Sequence, residues 1–333
     1  MTGADLIHGG ALSAVRQAFP HAPAPWLDLS TGINPWPYPH GNMPADAFTR
    51  LPDADLEEHA RAAMAAAWGC EPRDVALTPG SQAAIQLLPH LLGFSRVAIV
   101  GPTYGEHAQV WRQSGAEVFE IAADAIEDVE ADCVVICNPN NPDGRIIART
   151  RLAAIAQRLA SRGGRLVADE AFADGAPENS LVAEARALKA IVLRSFGKFF
   201  GLAGARLGAI VADEAIVGRA RMRFGPWAVS GPALAIAQRA YRDDSWRAAT
   251  IARLKRAGAE LDDALRVAGV TPAGGTLLFR WVCCRNANAI WRRLAERGVY
   301  VRRFAWSDDF LRIRIPADES ERERLVAALR GAA

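Results

Sequence analysis

The stretch that decides the fold is Arg194-Ser195-Phe196-Gly197-Lys198-Phe199-Phe200-Gly201-Leu202-Ala203-Gly204-Ala205-Arg206-Leu207-Gly208. It lies between two apolar runs, residues 190–193 and 209–212, that are typical of buried strands. A lysine in such an apolar turn is costly to desolvate, so we expect the Lys198 pKa to fall and its amine to become nucleophilic. Ser195 and Arg206 add a hydroxyl and a guanidinium suited to a phosphate. The alternative is an ordinary strand–loop–strand with solvated charges.

The composition indicates a globular protein with no general affinity for polyanions. The chain has 333 residues, of which 50% are hydrophobic and 23% charged, and its net charge is +2. A chain of this kind can bury a large core, and the balanced charge suggests neither nucleic acid nor a membrane surface as a partner. We expect a cytoplasmic location, because no apolar run has transmembrane length and the N-terminus does not read as a signal peptide.

The cysteines predict neither a disulfide framework nor a metal site. They are Cys70, Cys133, Cys137, Cys283 and Cys284, and no CxxC or HExxH motif occurs. An odd number of cysteines without framework spacing fits reduced thiols that mostly fill the core. We therefore expect no bound metal.

Short apolar strands alternate with helical patterns through the middle of the chain, which predicts an α/β fold. Residues 96–100, 117–121, 132–137 and 165–168 are strand-like, and helical patterns separate most of them. This alternation is typical of a mostly parallel sheet covered by helices on both faces. We divide the chain into an N-terminal arm (1–45) that packs with the small domain, a large domain (46–240) and a small α+β domain (241–333).

Four chemically useful side chains follow predicted strand ends: Tyr104, Asn141, Asp169 and Lys198. Ligands of a parallel sheet bind beyond the carboxyl ends of its strands. Pyridoxal 5′-phosphate (PLP) needs a lysine, an acid near its pyridine nitrogen, a donor to its phenolic oxygen and an aromatic ring against its face. Each of the four residues supplies one of these groups, so the pattern predicts a PLP site. Taken alone, the acidic pair that begins at Asp169 could equally be a helix cap or a solvated turn.

A second candidate for phosphate binding is the turn Thr78-Pro79-Gly80-Ser81-Gln82, which opens a predicted helix. The first turn of a helix offers free backbone N–H groups and the positive end of the helix dipole to an anion. An ordinary helix cap explains this turn equally well.

Over nearly its whole length the chain resembles fold-type I PLP enzymes of the class I/II aminotransferase superfamily. The family motif Ser-x-x-Lys, followed by Gly-x-x-Gly-x-Arg-x-Gly, stands at residues 195–208. Asn141-Pro142-Asp143-Gly144 stands for the family's Asn-Pro-Thr-Gly, and Asp169-Glu170-Ala171-Phe172 for its Asp-Glu-Ala-Tyr. The resemblance implies a large PLP-binding domain with a sheet sandwiched by helices, a smaller α+β C-terminal domain, and a homodimer with active sites near the subunit interface.

The resemblance also implies a role for each matched residue. Lys198 would bind the cofactor covalently and Asp169 would pair with the pyridine nitrogen. Asn141 would contact the phenolic oxygen and Tyr104 would stack on the ring. The phosphate would be held by Gly80, Ser81, Gln82, Ser195 and Arg206.

Within the superfamily the chain is most similar to the L-threonine-O-3-phosphate decarboxylases of cobalamin biosynthesis. The supporting features are His8-Gly9-Gly10, Asp28-Leu29-Ser30, Ile33-Asn34-Pro35, the Phe172 of the Asp-Glu-Ala-Phe motif and Pro226-Trp227-Ala228-Val229-Ser230. Three departures stand out: Phe172 replaces a tyrosine common in the superfamily, Leu51 stands where relatives often have a tyrosine, and Gly32 stands where the decarboxylases often have asparagine. The expected reaction gives (R)-1-amino-2-propanol O-2-phosphate.

The resemblance places substrate recognition in residues far from Lys198 along the chain. His8, Asn34, Arg302 and Arg312 would bind the carboxylate and the phosphate of a phosphorylated amino acid, since arginine pairs with either anion. Two alternatives stay open: a histidinol-phosphate aminotransferase, which needs a 2-oxo acid as acceptor, and a non-catalytic PLP-binding regulatory module.

Overall fold

The computed structural model describes residues 9–330, so His8 lies outside the described residues. The chain divides into two compact units. The large unit holds residues 37–141 and 145–246, and the small unit holds residues 9–36, 142–144 and 247–330. Within residues 9–330, no helix is long and apolar enough to cross a membrane.

The strands of the described residues, in chain order, are β1 (Leu27–Leu29), β2 (Val75–Thr78), β3 (Arg96–Val100), β4 (Glu117–Ile121), β5 (Cys133–Cys137), β6 (Arg165–Asp169), β7 (Ile191–Ser195), β8 (Gly208–Val211), β9 (Thr271–Thr276), β10 (Phe279–Cys283), β11 (Val299–Phe304) and β12 (Ser307–Arg314). The α-helices of the same residues are α1 (Leu12–Ala18), α2 (Asp46–Thr49), α3 (Ala54–Trp68), α4 (Ser81–Leu92), α5 (Glu106–Gln113), α6 (Arg149–Ser161), α7 (Phe196–Phe199), α8 (Glu214–Phe224), α9 (Gly231–Ala240), α10 (Asp244–Val267), α11 (Ala287–Glu296) and α12 (Glu319–Leu329).

The sheet of the large unit confirms the predicted α/β fold. Its strands lie in the order β2-β8-β7-β6-β5-β3-β4. The five neighbouring strands β4, β3, β5, β6 and β7 pair in parallel. The chain joins consecutive strands of this group through longer connections. Strand β8 is antiparallel to both β7 and β2. It can be antiparallel because the chain returns directly from β7 through the turn that carries Lys198, without a crossover helix.

The core of the large unit explains why its strands are almost entirely apolar. Every residue of β5 is buried, as is every residue of β7 and β8. Strands covered on both faces have no solvent side and therefore lose the alternating pattern of a half-exposed sheet. Polar side chains are thus concentrated at the strand ends, which is where a ligand can reach them.

The small unit contains a mixed sheet with the order β1-β11-β12-β10-β9. Two of its strands have weak sequence signals. Residues 27–29 form strand β1, parallel to β11, within a proline-rich segment. Strands β9 and β10 form a hairpin. The glycines and Pro272 of β9 conceal it, because proline is tolerated on an edge strand but weakens the strand signal.

The chain passes between the units at residues 36–37, 141–142, 144–145 and 246–247. Beside the first and the last of these crossings lies an aromatic cluster of the large unit. Tyr38 and Trp246 both pack against Phe200, with ring centroids 6.2 and 5.6 Å away. These contacts hold Tyr38, which follows the first crossing, and Trp246, which precedes the last, within the large unit. Residues 9–36 belong to the small unit.

Candidate active site

Strand register in the large unit brings the two predicted phosphate-binding segments together. Gly208 of β8 pairs with Ser195 of β7 on one side and with Thr78 of β2 on the other. Thr78 leads directly into the N-terminus of α4, and Ser195 leads directly into α7. A Cβ added to Gly208 would lie 2.5 Å from the Ser81 backbone nitrogen, so only glycine permits this approach. Segments distant in sequence therefore meet at one strand end.

Gly80 and Arg206 lie side by side at this strand end and mark a candidate phosphate pocket. Gly80 caps α4 with φ +84° and has no side chain to occupy the space. A Cβ there would lie 2.4 Å from a guanidinium nitrogen of Arg206. Arg206 itself adopts φ +52° and donates from Nη1 to the Ala203 carbonyl at 3.0 Å. The guanidinium is thus held beside the positive end of the α4 dipole, an arrangement suited to a phosphate.

Lys198 lies on the short helix α7 and is half-buried. Its neighbours Phe196, Phe199 and Phe200 pack into the aromatic cluster, with the Phe196 and Phe200 ring centroids 4.8 Å apart. Three buried phenylalanines around one lysine leave the turn little freedom to rotate. The Lys198 Nζ lies 5.7 Å from the ring centroid of Phe172.

Asp169 is the last residue of β6 and is buried. Its Oδ1 accepts from the Ala171 backbone N–H at 3.0 Å, and its Oδ2 lies 2.9 Å from Nε2 of His107. Cys137 stands beside Asp169 in the β5–β6 register. One ligand atom each of His107, Cys137 and Asp169 lies within 4.8 Å of the others. The carboxylate is therefore held at both oxygens.

His107 is a site residue that the sequence interpretation missed. It is completely buried, three residues after Tyr104, and the two rings meet edge-to-face at 6.1 Å. A turn before and into α5 joins the two residues, since the His107 backbone N–H donates to the Tyr104 carbonyl at 3.2 Å, and their i, i+3 spacing is the signal that could have revealed His107. Cys137, expected to be core filler, lies beside His107 and Asp169.

His107 makes the stability of the fold depend on pH. Burial lowers its pKa, but the Cys137 sulfur and the Asp169 carboxylate outweigh burial and raise the pKa to about 10 from 6.5. A pKa that is higher in the folded than in the unfolded protein stabilises the fold. This stabilisation is fully present below pH 6.5 and is lost as the pH rises through about 10. We expect the free energy of unfolding to fall between pH 7 and 10, measured by urea titration. In His107→Asn the fall should be smaller; equal falls in both proteins would contradict this assignment.

The asparagine side chains that follow β5 form different hydrogen bonds. The Asn138 side chain exchanges two hydrogen bonds with the backbone of Ile147, at 2.8 and 3.1 Å. The Asn140 amide accepts from the Thr103 hydroxyl at 2.7 Å and donates to the Pro102 carbonyl at 3.0 Å. These contacts fix the loop that presents Asn141 and join it to the loop that presents Tyr104.

Tyr104 and Gln82 are joined by a hydrogen bond, with the tyrosine hydroxyl donating to Gln82 Oε1 at 3.1 Å. The Gln82 Nε2 donates to Glu106 at 2.7 Å. The candidate ring-stacking residue is therefore held to the first turn of α4. Tyr104, Gln82 and the phosphate pocket consequently form one connected surface.

A buried ion cluster lies behind the site. Arg194 of β7 donates to Glu170 at 3.0 Å and to Asp174 at 2.9 Å, and all three side chains are buried. Glu170 also accepts from the Leu181 backbone N–H at 2.7 Å. Burial raises the pKa of Glu170, and the two carboxylates outweigh burial and raise the pKa of Arg194. The cluster ties the strand that leads to Lys198 to the segment that follows Asp169.

Breaking this cluster should be costly. Arg194→Met leaves two buried carboxylates without their cation, and we expect the free energy of unfolding to fall by about 3–5 kcal/mol. Arg266→Met is the matched control, because its ion pair with Asp263 is exposed and such pairs contribute about 0–1 kcal/mol. Urea unfolding of both variants tests this, and equal losses would show that the buried cluster has no special role.

The predicted substrate residues of the small unit fall into two groups. Arg302 of β11 and Arg312 of β12 are register partners, so both guanidinium groups leave the sheet on one face. Arg312 is buried, donates to the Ser30 carbonyl at 2.9 Å and lies 5.0 Å from the Phe279 ring centroid. Arg302 lies 5.1 Å from the Phe304 ring centroid. Two adjacent cations on one sheet face suit a substrate with two anionic groups.

Ser30 connects these arginines to the arm. Its hydroxyl accepts from the Gly10 backbone N–H at 2.8 Å, and a Cβ on Gly9 would lie 2.4 Å from its carbonyl oxygen. The residue before Gly9 is His8, which lies outside the described residues. The Asn34 side chain accepts from the Trp36 backbone N–H at 3.0 Å and is buried. The arm is therefore pinned to the same unit as Arg312.

Comparison with known proteins gives a consistent result. The model of the family "aminotransferase class I and II" matches residues 43–329. The chain is 42% identical to a threonine-phosphate decarboxylase of Pseudomonas aeruginosa and 43% identical to one of a Sinorhizobium species, over 98% of both chains in each case. The structure of a histidinol-phosphate aminotransferase from Sinorhizobium meliloti, in complex with PLP, superposes with a TM-score of 0.78 at 22% identity, covering 99% of this chain and 96% of that one. The chain therefore belongs to the class I and II aminotransferase family.

Proposed function

We propose that this protein is a PLP-dependent decarboxylase that converts L-threonine O-3-phosphate to (R)-1-amino-2-propanol O-2-phosphate in cobalamin biosynthesis. The observation that carries the proposal is the 42–43% sequence identity to threonine-phosphate decarboxylases, which extends over nearly the full length of the chain. The donor set of the large unit supports it, because it offers an amine, an acid, an aromatic ring and a phosphate pocket around one strand-end surface.

The residues of the large unit fit PLP group by group. Lys198 would supply the amine for covalent attachment, and Asp169, backed by His107, would hold the ring-nitrogen proton. Tyr104 would offer an aromatic face, and Asn141 an amide for the phenolic oxygen. The phosphate would be held by Gly80, Ser81, Gln82, Ser195 and Arg206. When bound, PLP supplies an electron-withdrawing ring that accepts the electron pair left at the substrate Cα.

The residues of the small unit support recognition of a doubly anionic substrate. Arg302 and Arg312 pair well with carboxylate and phosphate, and the Ser30 and Asn34 contacts hold the surrounding backbone. By binding the carboxylate and phosphate at fixed positions, these groups would select which Cα bond is aligned for cleavage. Lys198 would then donate a proton from Nζ to Cα after carbon dioxide has left. His8 is proposed on the resemblance alone.

The active form is proposed to be a homodimer. The large unit has a groove of about 740 Å³ lined by residues 47–48, 50–52, 201–205 and parts of 227–236. Three of its apolar side chains are strongly exposed, namely Phe48 (70%), Leu51 (66%) and Trp227 (55%). Exposed apolar surface of this kind is typical of an interface. The loop that lines it runs directly into Arg206, so a second copy seated there would lie beside the phosphate pocket.

A negative charge introduced into this groove should separate the two subunits of the proposed dimer. We expect Leu51→Asp to shift the protein from dimer to monomer in sedimentation velocity and to weaken PLP retention. Met222→Asp is the control, because Met222 is 78% exposed and does not line the groove. A Leu51→Asp protein that sediments as the wild type would contradict the proposed interface.

One assay tests the proposed reaction against its closest rival. The PLP-loaded protein receives phosphothreonine, and released carbon dioxide is measured; it then receives histidinol phosphate with 2-oxoglutarate, and glutamate is measured. We expect carbon dioxide and little glutamate. Clear glutamate without carbon dioxide would identify an aminotransferase, and neither product from PLP-loaded protein would revive the binding-module hypothesis.

A further inference from the structure

We propose that Ser30 is a positioning residue of the substrate site, which holds the Gly9-Gly10 turn beside Arg312 so that a substrate anion bound by Arg312 also meets the turn. The inference rests on the proposed function, because that function assigns a substrate anion to Arg312. It begins from two contacts of one residue. The Ser30 carbonyl accepts from Nη2 of Arg312 at 2.9 Å, and the Ser30 hydroxyl accepts from the Gly10 backbone N–H at 2.8 Å.

The register of the small sheet places Ser30 beside the two candidate substrate arginines. Leu29 pairs with Val301 in the parallel ladder of β1 and β11, so Ser30 follows at the level of Arg302. Arg302 is in turn the register partner of Arg312 on β12. Ser30 therefore lies at the end of the row that contains both arginines, and the guanidinium of Arg312 reaches it from two strands away.

Asp28 fixes both the backbone and the hydroxyl of Ser30. A single carboxylate oxygen, Oδ1, accepts from the Ser30 backbone N–H at 2.9 Å and from the Ser30 hydroxyl at 2.6 Å. Because an ionised carboxylate can only accept, the hydroxyl donates its proton to Asp28 and is left as an acceptor for the Gly10 N–H. Ser30 is completely buried, which protects these hydrogen bonds from competition by water. Asp28 thus sets the direction of the bond that holds the turn.

The Gly9-Gly10 turn and Arg312 meet at the Ser30 carbonyl oxygen. A Cβ on Gly9 would lie 2.4 Å from this oxygen, so only glycine allows the approach. Gly10 has a φ of +83°, a backbone conformation that also favours glycine. The same oxygen holds Nη2 of the buried Arg312. A substrate anion that pairs with Arg312 would therefore lie beside the backbone of the turn, at a separation that Ser30 sets.

The first experiment removes the hydroxyl and keeps the carbonyl. Ser30→Ala retains the acceptor for Arg312 but loses the tie to Gly10, so we expect the KM for phosphothreonine to rise roughly 3- to 10-fold while kcat changes less than about 2-fold. Thr276→Ala is the matched control, because it also removes a hydroxyl of the small unit that accepts one backbone N–H, that of Leu278 at 3.1 Å. It should keep the wild-type KM. Ser30→Cys, which is close to serine in size but a weak acceptor, repeats the test if the alanine variant folds poorly.

A pair of variants at Asp28 tests the hydroxyl direction. Asp28→Asn keeps a side-chain oxygen that can accept from both the N–H and the hydroxyl of Ser30, and its KM should stay close to the wild-type value. Asp28→Ala removes that oxygen and should raise the KM as Ser30→Ala does. Equal KM values for the asparagine and alanine variants would contradict the role of Asp28.

The second experiment measures the turn without substrate or cofactor. In hydrogen exchange followed by mass spectrometry, the N-terminal peptide that contains Gly10 should take up about one additional deuterium at early times in Ser30→Ala, and none in Thr276→Ala. Unchanged exchange in folded Ser30→Ala would overturn the inference, as would an unchanged KM in both Ser30 variants or an equal rise in Thr276→Ala. Wild-type enzyme that releases no carbon dioxide would instead overturn the proposed function, and the exchange result does not depend on it.

Discussion

Lys198→Ala should abolish covalent attachment of the cofactor and lower carbon dioxide release by roughly 10²–10⁴-fold or more. The side chain has two tasks in this account, binding the cofactor and donating the proton to Cα, and alanine can perform neither. Borohydride reduction followed by peptide mass spectrometry checks the first task, because the wild type should carry the cofactor on the peptide that contains Lys198. Steady-state release of carbon dioxide checks the second.

Lys255→Ala is the control for general effects of removing a lysine, because Lys255 is exposed on α10. It should retain the wild-type rate and the labelled Lys198 peptide. Cofactor still attached covalently in Lys198→Ala would show that the site assignment is wrong.

Asp169→Asn should lower the rate by a comparable factor while leaving the fold intact. The amide keeps the size of the carboxylate and can still meet the Ala171 N–H and His107, but it has no charge with which to hold a proton on the ring nitrogen. Without that proton the ring withdraws electrons less strongly. The turnover rate at saturating phosphothreonine measures the loss, and urea unfolding shows that the protein is folded.

A cofactor analogue sharpens this prediction. PLP methylated on its ring nitrogen carries a permanent positive charge and needs no acid beside it. It should recover part of the lost rate in Asp169→Asn while giving no gain in the wild type. If the analogue recovers nothing and the variant binds it normally, Asp169 does not act through the ring nitrogen.

Much of the large unit could be predicted because its strands are buried on both faces. Such strands appear in the sequence as continuous apolar runs. Polar residues that follow such a run therefore stand out as candidates for ligand binding. Tyr104, Asn141, Asp169 and Lys198 are therefore predicted as site residues from their positions at or after strand ends. The short return from β7 to β8 was also visible, since the Lys198 turn joins two apolar runs directly.

Other features could not be read from the sequence because they depend on tertiary packing. His107 stands on helix α5 and Asp169 on strand β6, and only the β5–β6 register and the packing of α5 bring His107, Cys137 and Asp169 together. The buried Arg194 cluster resembles ordinary charged residues when the sequence is read alone. Strand β9 does not stand out in the sequence because its glycines and proline suggest a loop.

The most direct test of the central claim follows the hydrogen on Cα. Phosphothreonine deuterated at Cα is converted by the PLP-loaded enzyme in ordinary water, and the amine product is analysed by mass spectrometry. Decarboxylation predicts that the product keeps the Cα deuterium and gains one hydrogen from solvent in place of the carboxylate. A 2-oxo acid as the main product, formed with loss of the deuterium, would contradict the account.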